Sequence, residues 1–477
     1  MPTPTIIEAA QALYRGHGVK EISRSSAGAY NLSLTTKVLN RIIEQSKQYH
    51  QKSICFVTGV PGAGKTLVGL NIANERHQYD KQEHAVFLSG NGPLVAVLRE
   101  ALVRDEIKRC KGKITKITSK RKVAAFIQNI HHFRDTYLPP SEQVPAEKVT
   151  IFDEAQRAWT KEQTAKFMLK RHVPSWNMSE PEFLISVMDR HQDWAVIICL
   201  IGGGQEIHTG EAGLLAWFDA LRNHFPHWNV YVSPQISDVE YTQGKTLESL
   251  FMGLHLYQEK KLHLSVSLRS FRNEKVSAFV KSLLDENLPI AQQLYSELSL
   301  NYPIVITRSL EKAKQWVQNQ SRGTERYGLI SSSGAKRLRQ FGIWVQNDIQ
   351  AENWFLNDKE DVRSSYFLEE TATEFDIQGL EIDWAIVAWD ADFRIEKGHF
   401  KAYNFKGSSW KIVRKKDAQL YLKNTYRVLL TRARQGFVIF IPKGCDEDLT
   451  RHSSFYDGIY YYLKEIGIKE LCLSEEQ

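Results

Sequence analysis

The sequence predicts an α/β protein with two parallel-sheet domains, and three features carry that prediction. Four short apolar runs, "SICFVT", "HAVFLSG", "KVTIFDE" and "WAVIICLIG", recur in the first half, each separated by enough chain for a crossover helix. Four more, "PIVITRS", "YGLISSS", "WAIVAWD" and "FVIFIP", return from Pro303 onward. The first run leads directly into "GVPGAGKT", Gly59 to Thr66, which opens the helix-like "LVGLNIANERH". A buried strand, a glycine-rich turn and a helix in that order form the setting of a phosphate-binding loop.

Along the chain, residues 1–50 read as an amino-terminal helical segment. Its main helix is expected to begin near Ser33, where the hydroxyls of "SLTT" look like caps, with Val38, Leu39, Ile42 and Ile43 on one face. Residues 51–225 hold the first α/β domain. Residues 226–300, rich in helix formers, read as a helical connection that includes "SLRSF", and residues 301–477 hold the second α/β domain. The "FYDGIYYYLKEIG" stretch near the end reads as a helix burying aromatics in the core.

Composition narrows the functional classes. The chain has 477 residues and a net charge of +7 from 62 Lys+Arg against 55 Asp+Glu, a mild excess compatible with a polyanionic partner. Cys55, Cys110, Cys199, Cys445 and Cys472 are scattered without a C-x-x-C pair, which gives neither a zinc site nor a disulfide framework and fits a reducing, cytoplasmic setting. The longest apolar runs are far too short to span a bilayer, so no membrane partner is expected.

The chemistry begins at the phosphate loop. Gly59, Gly62 and Gly64 let backbone N–H groups turn toward phosphate oxygens, Lys65 reaches the β- and γ-phosphates, and Thr66 offers its hydroxyl to Mg²⁺. ATP and Mg²⁺ are therefore the expected cofactors. In "VTIFDEAQRAW" two carboxylates end an apolar strand, where open parallel sheets bind ligands. Asp153 is placed to join Thr66 as a metal ligand, and Glu154 to activate the attacking water. Gln205, in "LIGGGQEIHTG" after the next strand, is a neutral side chain able to bridge a γ-phosphate to a moving segment.

The order of these motifs resembles superfamily-one helicases, and more closely the helicase-like P-loop family that includes the carboxyl-terminal part of Schlafen proteins. The resemblance covers about residues 50–445 and implies two RecA-like domains with ATP between them. "FLSGNGPLV", with Asn91, looks like the family's first nucleic-acid-contacting motif, and "SLRSF", "TEFDIQGLE" and "VLLTRAR" look like its motifs in the second half. By that resemblance Arg269 and Arg432 are arginine fingers, Arg427 assists them, and Gln378, Gly379 and Glu381 line the cleft near phosphate or ribose. A cation inserted across such a cleft stabilises transition-state charge only on closure, which couples hydrolysis to domain motion. One departure stands out: "LIGGGQ" lacks the acidic residue that many helicases carry before the glutamine.

Nucleic acid, single-stranded DNA or RNA, is the expected partner. Eight cations in "KRCKGKITKITSKRK" and eight in "RIEKGHFKAYNFKGSSWKIVRKK", the latter interleaved with aromatics including Trp410, have the composition of a backbone-tracking and base-stacking surface. "SSSGAKRLR", with Lys336 and Arg337, is a third candidate. The sequence thus reads as an ATP-dependent translocase or helicase-like motor. The chain has no room for the large inserted domains of many unwinding relatives, which favours translocation or remodelling over strand separation. The other reading is an ATP-dependent conformational switch that recruits a protein partner. A further amino-terminal domain, common among such relatives, is also an expectation.

Overall fold

The run "KSICFVTG" forms β1 (Lys52–Gly59), buried from Ser53 to its end, because β-branched and aromatic residues covered on both faces favour the extended state. The computed structural model describes residues 4–18, 26–60, 62–79, 84–171, 173, 176–202, 213–237, 246–266 and 271–471. These divide into two compact units, the first ending by Arg269 and the second beginning at Ser270.

In the first unit β1 is joined by β2 (His84–Ser89), β3 (Ile127–Asn129), β4 (Glu147–Asp153), β5 (Ala195–Leu200), β6 (Asn229–Val232) and β7 (His255–Gln258). The sheet order is β3-β2-β4-β5-β1-β6-β7, with every pairing parallel. A two-residue strand, β8 (His263–Leu264), pairs with the carboxyl tip of β1, Thr58 to His263 and Gly59 to Leu264. One face of the sheet packs Phe56 against Phe218 and Phe152 against Trp217, with ring centroids 5.0 and 5.6 Å apart. The indole N–H of Trp217 then donates to the Ala155 carbonyl at 2.9 Å, fixing the turn just beyond β4.

Two expectations change here. The amino-terminal helix runs Ser26–Gln48, so the hydroxyls near Ser33 are inside it. They do not cap it: Thr35 is fully buried and donates to the Lys261 carbonyl at 2.7 Å, tying the helix to the segment before β8. Residues 226–300, expected as a helical connection, supply β6, β7 and β8 to the first sheet before the helices Phe271–Leu284 and Leu288–Leu298. Strands of two to four residues are too short for period-two alternation to register in sequence.

The second unit has a parallel sheet of β9 (Ile304–Thr307), β10 (Tyr327–Ser331), β11 (Thr371–Ala372), β12 (Ile382–Ala388), β16 (Ala433–Phe440) and β17 (Lys469–Glu470), in the order β11-β10-β12-β16-β9-β17. Between β12 and the helix Lys416–Leu430 comes an antiparallel sheet of β13 (Phe393–Glu396), β14 (His399–Lys406) and β15 (Ser409–Ile412). The helix Ser454–Ile466 buries Tyr456 and Tyr460, in line with the expected aromatic-burying helix, while Tyr461 stays exposed. No helix among the described residues is long and apolar enough to cross a membrane.

Candidate nucleotide site

The carboxyl end of β1 turns into the glycine-rich loop under tight steric control. A Cβ on Gly59 would lie 2.7 Å from both the Cβ and the carbonyl oxygen of Leu264, so the approach of β8 requires glycine. The Val60 N–H donates to that same Leu264 carbonyl at 3.0 Å, which pins the loop's entry. Gly62 and Gly64 have φ of +74° and +87°, values that glycine adopts without steric cost. The helix Lys65–Tyr79 then begins at once, and its first-turn N–H groups, which have no partners within the helix, make this end receptive to anions.

Lys65 curls back over the loop, its Nζ donating to the carbonyls of Gly59 at 2.7 Å and Val60 at 3.2 Å. Thr66 Oγ1 donates to Asp153 at the end of β4, 3.1 Å to Oδ1. This bond brings the glycine loop and the acidic pair together. Asp153 is only 7% exposed. Burial, and then the neighbouring Glu154 charge, raise its pKa, opposed by the Thr66 hydrogen bond and by Lys65. A buried carboxylate disfavoured as an anion and paired with a hydroxyl is a donor set that fits Mg²⁺, a hard cation that prefers oxygen ligands.

Glu154 occupies the left-handed region, φ 54° and ψ 44°, uncommon for a non-glycine residue. Its Oε2 accepts from Gln156 Nε2 at 2.5 Å and faces Arg157 Nε at 3.5 Å. Gln156 Oε1 accepts the backbone N–H of Gly202, just past β5, at 3.0 Å. Gln156 was not singled out from the sequence, although it lies two residues beyond Glu154 in "DEAQ". Gln205 and Arg269 lie outside the described residues.

In the second unit the helix Lys416–Leu430 carries Arg427, whose Nη1 donates to Asn424 at 2.7 Å. Arg432 follows, 3% exposed, with Nε donating to the Val428 carbonyl at 3.2 Å and Nη2 to Thr431 Oγ1 at 3.3 Å. Gln378 is buried and Gly379 has a φ of +78° on the turn before β12. Glu381 is half-buried, and the next residue, Ile382, donates its N–H to the Arg432 carbonyl at 3.2 Å. "QGLE" and "TRAR" thus adjoin. Glu374 adds a second link, accepting from the Ser333 backbone at 2.8 Å and hydroxyl at 2.7 Å, and from Thr425 at 3.4 Å.

The nucleic-acid candidates are more heavily engaged than their sequence implied. Asn91 caps the helix Gly92–Arg109, its Oδ1 accepting from Leu94 N at 3.1 Å. Lys336 is exposed, whereas Arg337 pairs with Asp448 at 3.1 Å and lies 5.3 Å over Phe405. Trp410 stands edge-on to the same Phe405 at 5.1 Å and donates its indole N–H to the Thr450 carbonyl at 2.8 Å. The structure therefore gathers Arg337 and Trp410 around one ring. The serines of "SSSGAKRLR" are committed to internal acceptors: Ser331 to the Ala388 carbonyl, Ser332 to Asp392 and Ser333 to Glu374. In the first basic stretch Arg109, Lys116 and Lys122 are paired with Asp105, Glu100 and Glu106.

Residues 52–443 match the family model described as Schlafen group 3, DNA/RNA helicase domain. No curated protein is significantly similar to the chain in sequence. Among solved structures, the DUF1998 helicase MrfA bound to DNA aligns with 97% of this chain and 55% of its own, at 11% identity and a TM-score of 0.33. This chain thus spans little more than half of MrfA's length. A variant of S. cerevisiae Dbp5 bound to RNA and ADP BeF3 covers 94% of this chain and 93% of its own, at 11% identity and 0.31. The Hef helicase domain of Pyrococcus furiosus covers 88% and 97%, at 12% identity and 0.27.

Proposed function

The chain belongs to the Schlafen group 3 DNA/RNA helicase family, and we propose that it is an ATP-dependent motor acting on nucleic acid, with hydrolysis at the phosphate loop of the first unit. The observation that carries this reading is the Thr66–Asp153 hydrogen bond, which sets a hydroxyl and a buried carboxylate side by side next to Lys65. Thr66 and Asp153 would hold Mg²⁺, and Lys65 would leave the loop carbonyls for the β- and γ-phosphates. Held there, Mg²⁺ would supply charge neutralisation for the transferring phosphoryl group. Gly59, Gly62 and Gly64 leave the loop backbone open to phosphate, while Glu154 orients and deprotonates the attacking water.

The remaining roles follow from the family resemblance. Arg269 and Arg432 would supply cationic charge in the transition state with Arg427 in support, Gln205 would report the γ-phosphate, and Gln378, Gly379 and Glu381 would contact phosphate or ribose. Asn91, Lys336, Arg337 and Trp410 would lie along the nucleic-acid path. ATPase activity measured with no nucleic acid, single-stranded DNA, duplex DNA and RNA tests the reading. A motor shows turnover that at least one nucleic acid stimulates several-fold. ATP binding with negligible turnover under all four conditions would instead favour a conformational switch that recruits a protein partner.

A further inference from the structure

We propose that Gln156 is a positioning residue that aligns the Glu154 carboxylate with the backbone of Gly202; this rests on the reading of Glu154 as the residue that activates water. The chemistry of the two partners fixes the orientation of the amide. The Gly202 backbone N–H can only donate, so it takes the Gln156 oxygen at 3.0 Å. The Glu154 carboxylate can only accept, so it takes the Gln156 nitrogen at 2.5 Å. Only a side chain with a donor and an acceptor on one planar group satisfies both neighbours. Glutamate would set a second carboxylate against Glu154, and asparagine is one methylene short.

Three further features make the arrangement specific. Glu154 sits in the left-handed region, so its side chain leaves the main chain in an uncommon direction and its aim depends on what holds its far end. The 3-10 turn Ala155–Arg157 that presents Gln156 is itself anchored by the Trp217 bond to the Ala155 carbonyl. A Cβ on Gly202 would lie 2.7 Å from Glu154 Oε2 and 3.0 Å from Gln156 Nε2, so a side chain there would push both side-chain ends out of this alignment. Together they set the acidic residue that ends one strand against the backbone that follows the next, through one amide. Gln156 acts by aiming Glu154, not by touching nucleotide or water itself.

The test uses the full chain and compares Gln156→Ala, Gln156→Glu, Glu154→Gln and the double variant Glu154→Gln/Gln156→Ala. Steady-state kcat and KM for ATP are measured alongside binding of a fluorescent ATP analogue and thermal melting. Positioning predicts that Gln156→Ala lowers kcat by about 10- to 100-fold, the cost of a misaimed group, with KM, nucleotide affinity and melting temperature nearly unchanged. Gln156→Glu should fall at least as far although it retains the acceptor for Gly202. The double variant should be no slower than Glu154→Gln alone, because Gln156 has nothing left to aim. Wild-type kcat in Gln156→Ala beside an inactive Glu154→Gln overturns the proposal. So does a loss of kcat that tracks losses of affinity and melting temperature, which marks a purely structural residue. If Glu154→Gln turns over ATP like wild type, the reading of Glu154 fails first, and the role of Gln156 falls with it.

Discussion

β4 in the first unit and β12 in the second are both interior strands of parallel sheets that run from apolar residues into acids, "VTIFDE" in one and "WAIVAWDAD" in the other, yet their carboxylates meet different surroundings. Asp153 has a threonine hydroxyl beside it, an anion-receptive helix start and a lysine folded back onto loop carbonyls. Asp390 and Asp392 are met by internal donors. Asp392 accepts from Ser332 Oγ and Tyr426 Oη, both at 2.6 Å. Asp390 accepts from Arg337 N at 2.9 Å, Ala391 N at 2.8 Å and Tyr456 Oη at 2.9 Å. Burial, and then the Asp390 charge, push the Asp392 carboxyl up to about 7. The second cluster is a structural knot joining the "SSSGAKR" loop to the helices Lys416–Leu430 and Ser454–Ile466. The first has donors suited to a phosphate and a cation. An acid after an apolar strand is thus an ambiguous sign until its donors are known.

The sharpest way to break this contrast is Lys65→Ala. It should abolish or greatly weaken nucleotide binding, since the half-buried lysine that donates to the Gly59 and Val60 carbonyls is the charge the phosphates would lose. Titration with a fluorescent ATP analogue checks it, and unaltered affinity would remove the loop from the site. Arg432→Ala should come next, lowering turnover by about a thousandfold if it acts as a finger, with ATP affinity within a few-fold of wild type. A selective loss of affinity at unchanged kcat would make Arg432 a binding or structural residue.

Asp392→Asn sharpens the contrast from the other side. The folded state keeps the Asp392 proton up to about pH 7, whereas the unfolded chain releases it near pH 4. This group therefore favours folding below about pH 4, and its contribution is lost as pH rises toward 7, by on the order of 3 kcal/mol. Thermal melts from pH 4 to 8 should decline less steeply in Asp392→Asn than in wild type, with nucleotide affinity unchanged. Parallel melting profiles would mean that the carboxyl titrates normally.

The smallest effect is expected at the hairpin. Trp410→Ala should weaken single-strand binding by about 1–3 kcal/mol with little change in basal ATPase, and Trp410→Phe, which loses only the bond to Thr450, should retain most of that affinity. Neutralising Lys401, Lys406 and Lys411 should flatten the salt dependence of binding. Fluorescence anisotropy across a salt series reads both effects; wild-type behaviour in all of these variants would assign the hairpin to packing alone.

Much of this organisation was legible in the sequence, and the gaps have physical causes. Short apolar runs marked the longer interior strands and placed the phosphate loop between β1 and its helix. β6, β7 and β8 lack such runs. The β13–β15 sheet was visible only as cations among aromatics, although "EKGH" encodes its first turn: Lys397 and Gly398 both have positive φ, 53° and 81°, as a tight hairpin turn needs. Asp390, Asp392 and Gln156 were in plain view but undistinguished, because only the three-dimensional donors separate a knot from a site and an aiming amide from a polar turn.

Single-turnover hydrolysis of ATP by wild type and Glu154→Gln, with nucleotide binding measured on the same samples, isolates the role of the carboxylate after β4. Both should bind ATP with similar affinity and only wild type should convert it to ADP, with a rate difference of about 100-fold or more. Equal rates in the two proteins would contradict it and leave the acidic end of β4 without the catalytic role assigned to it.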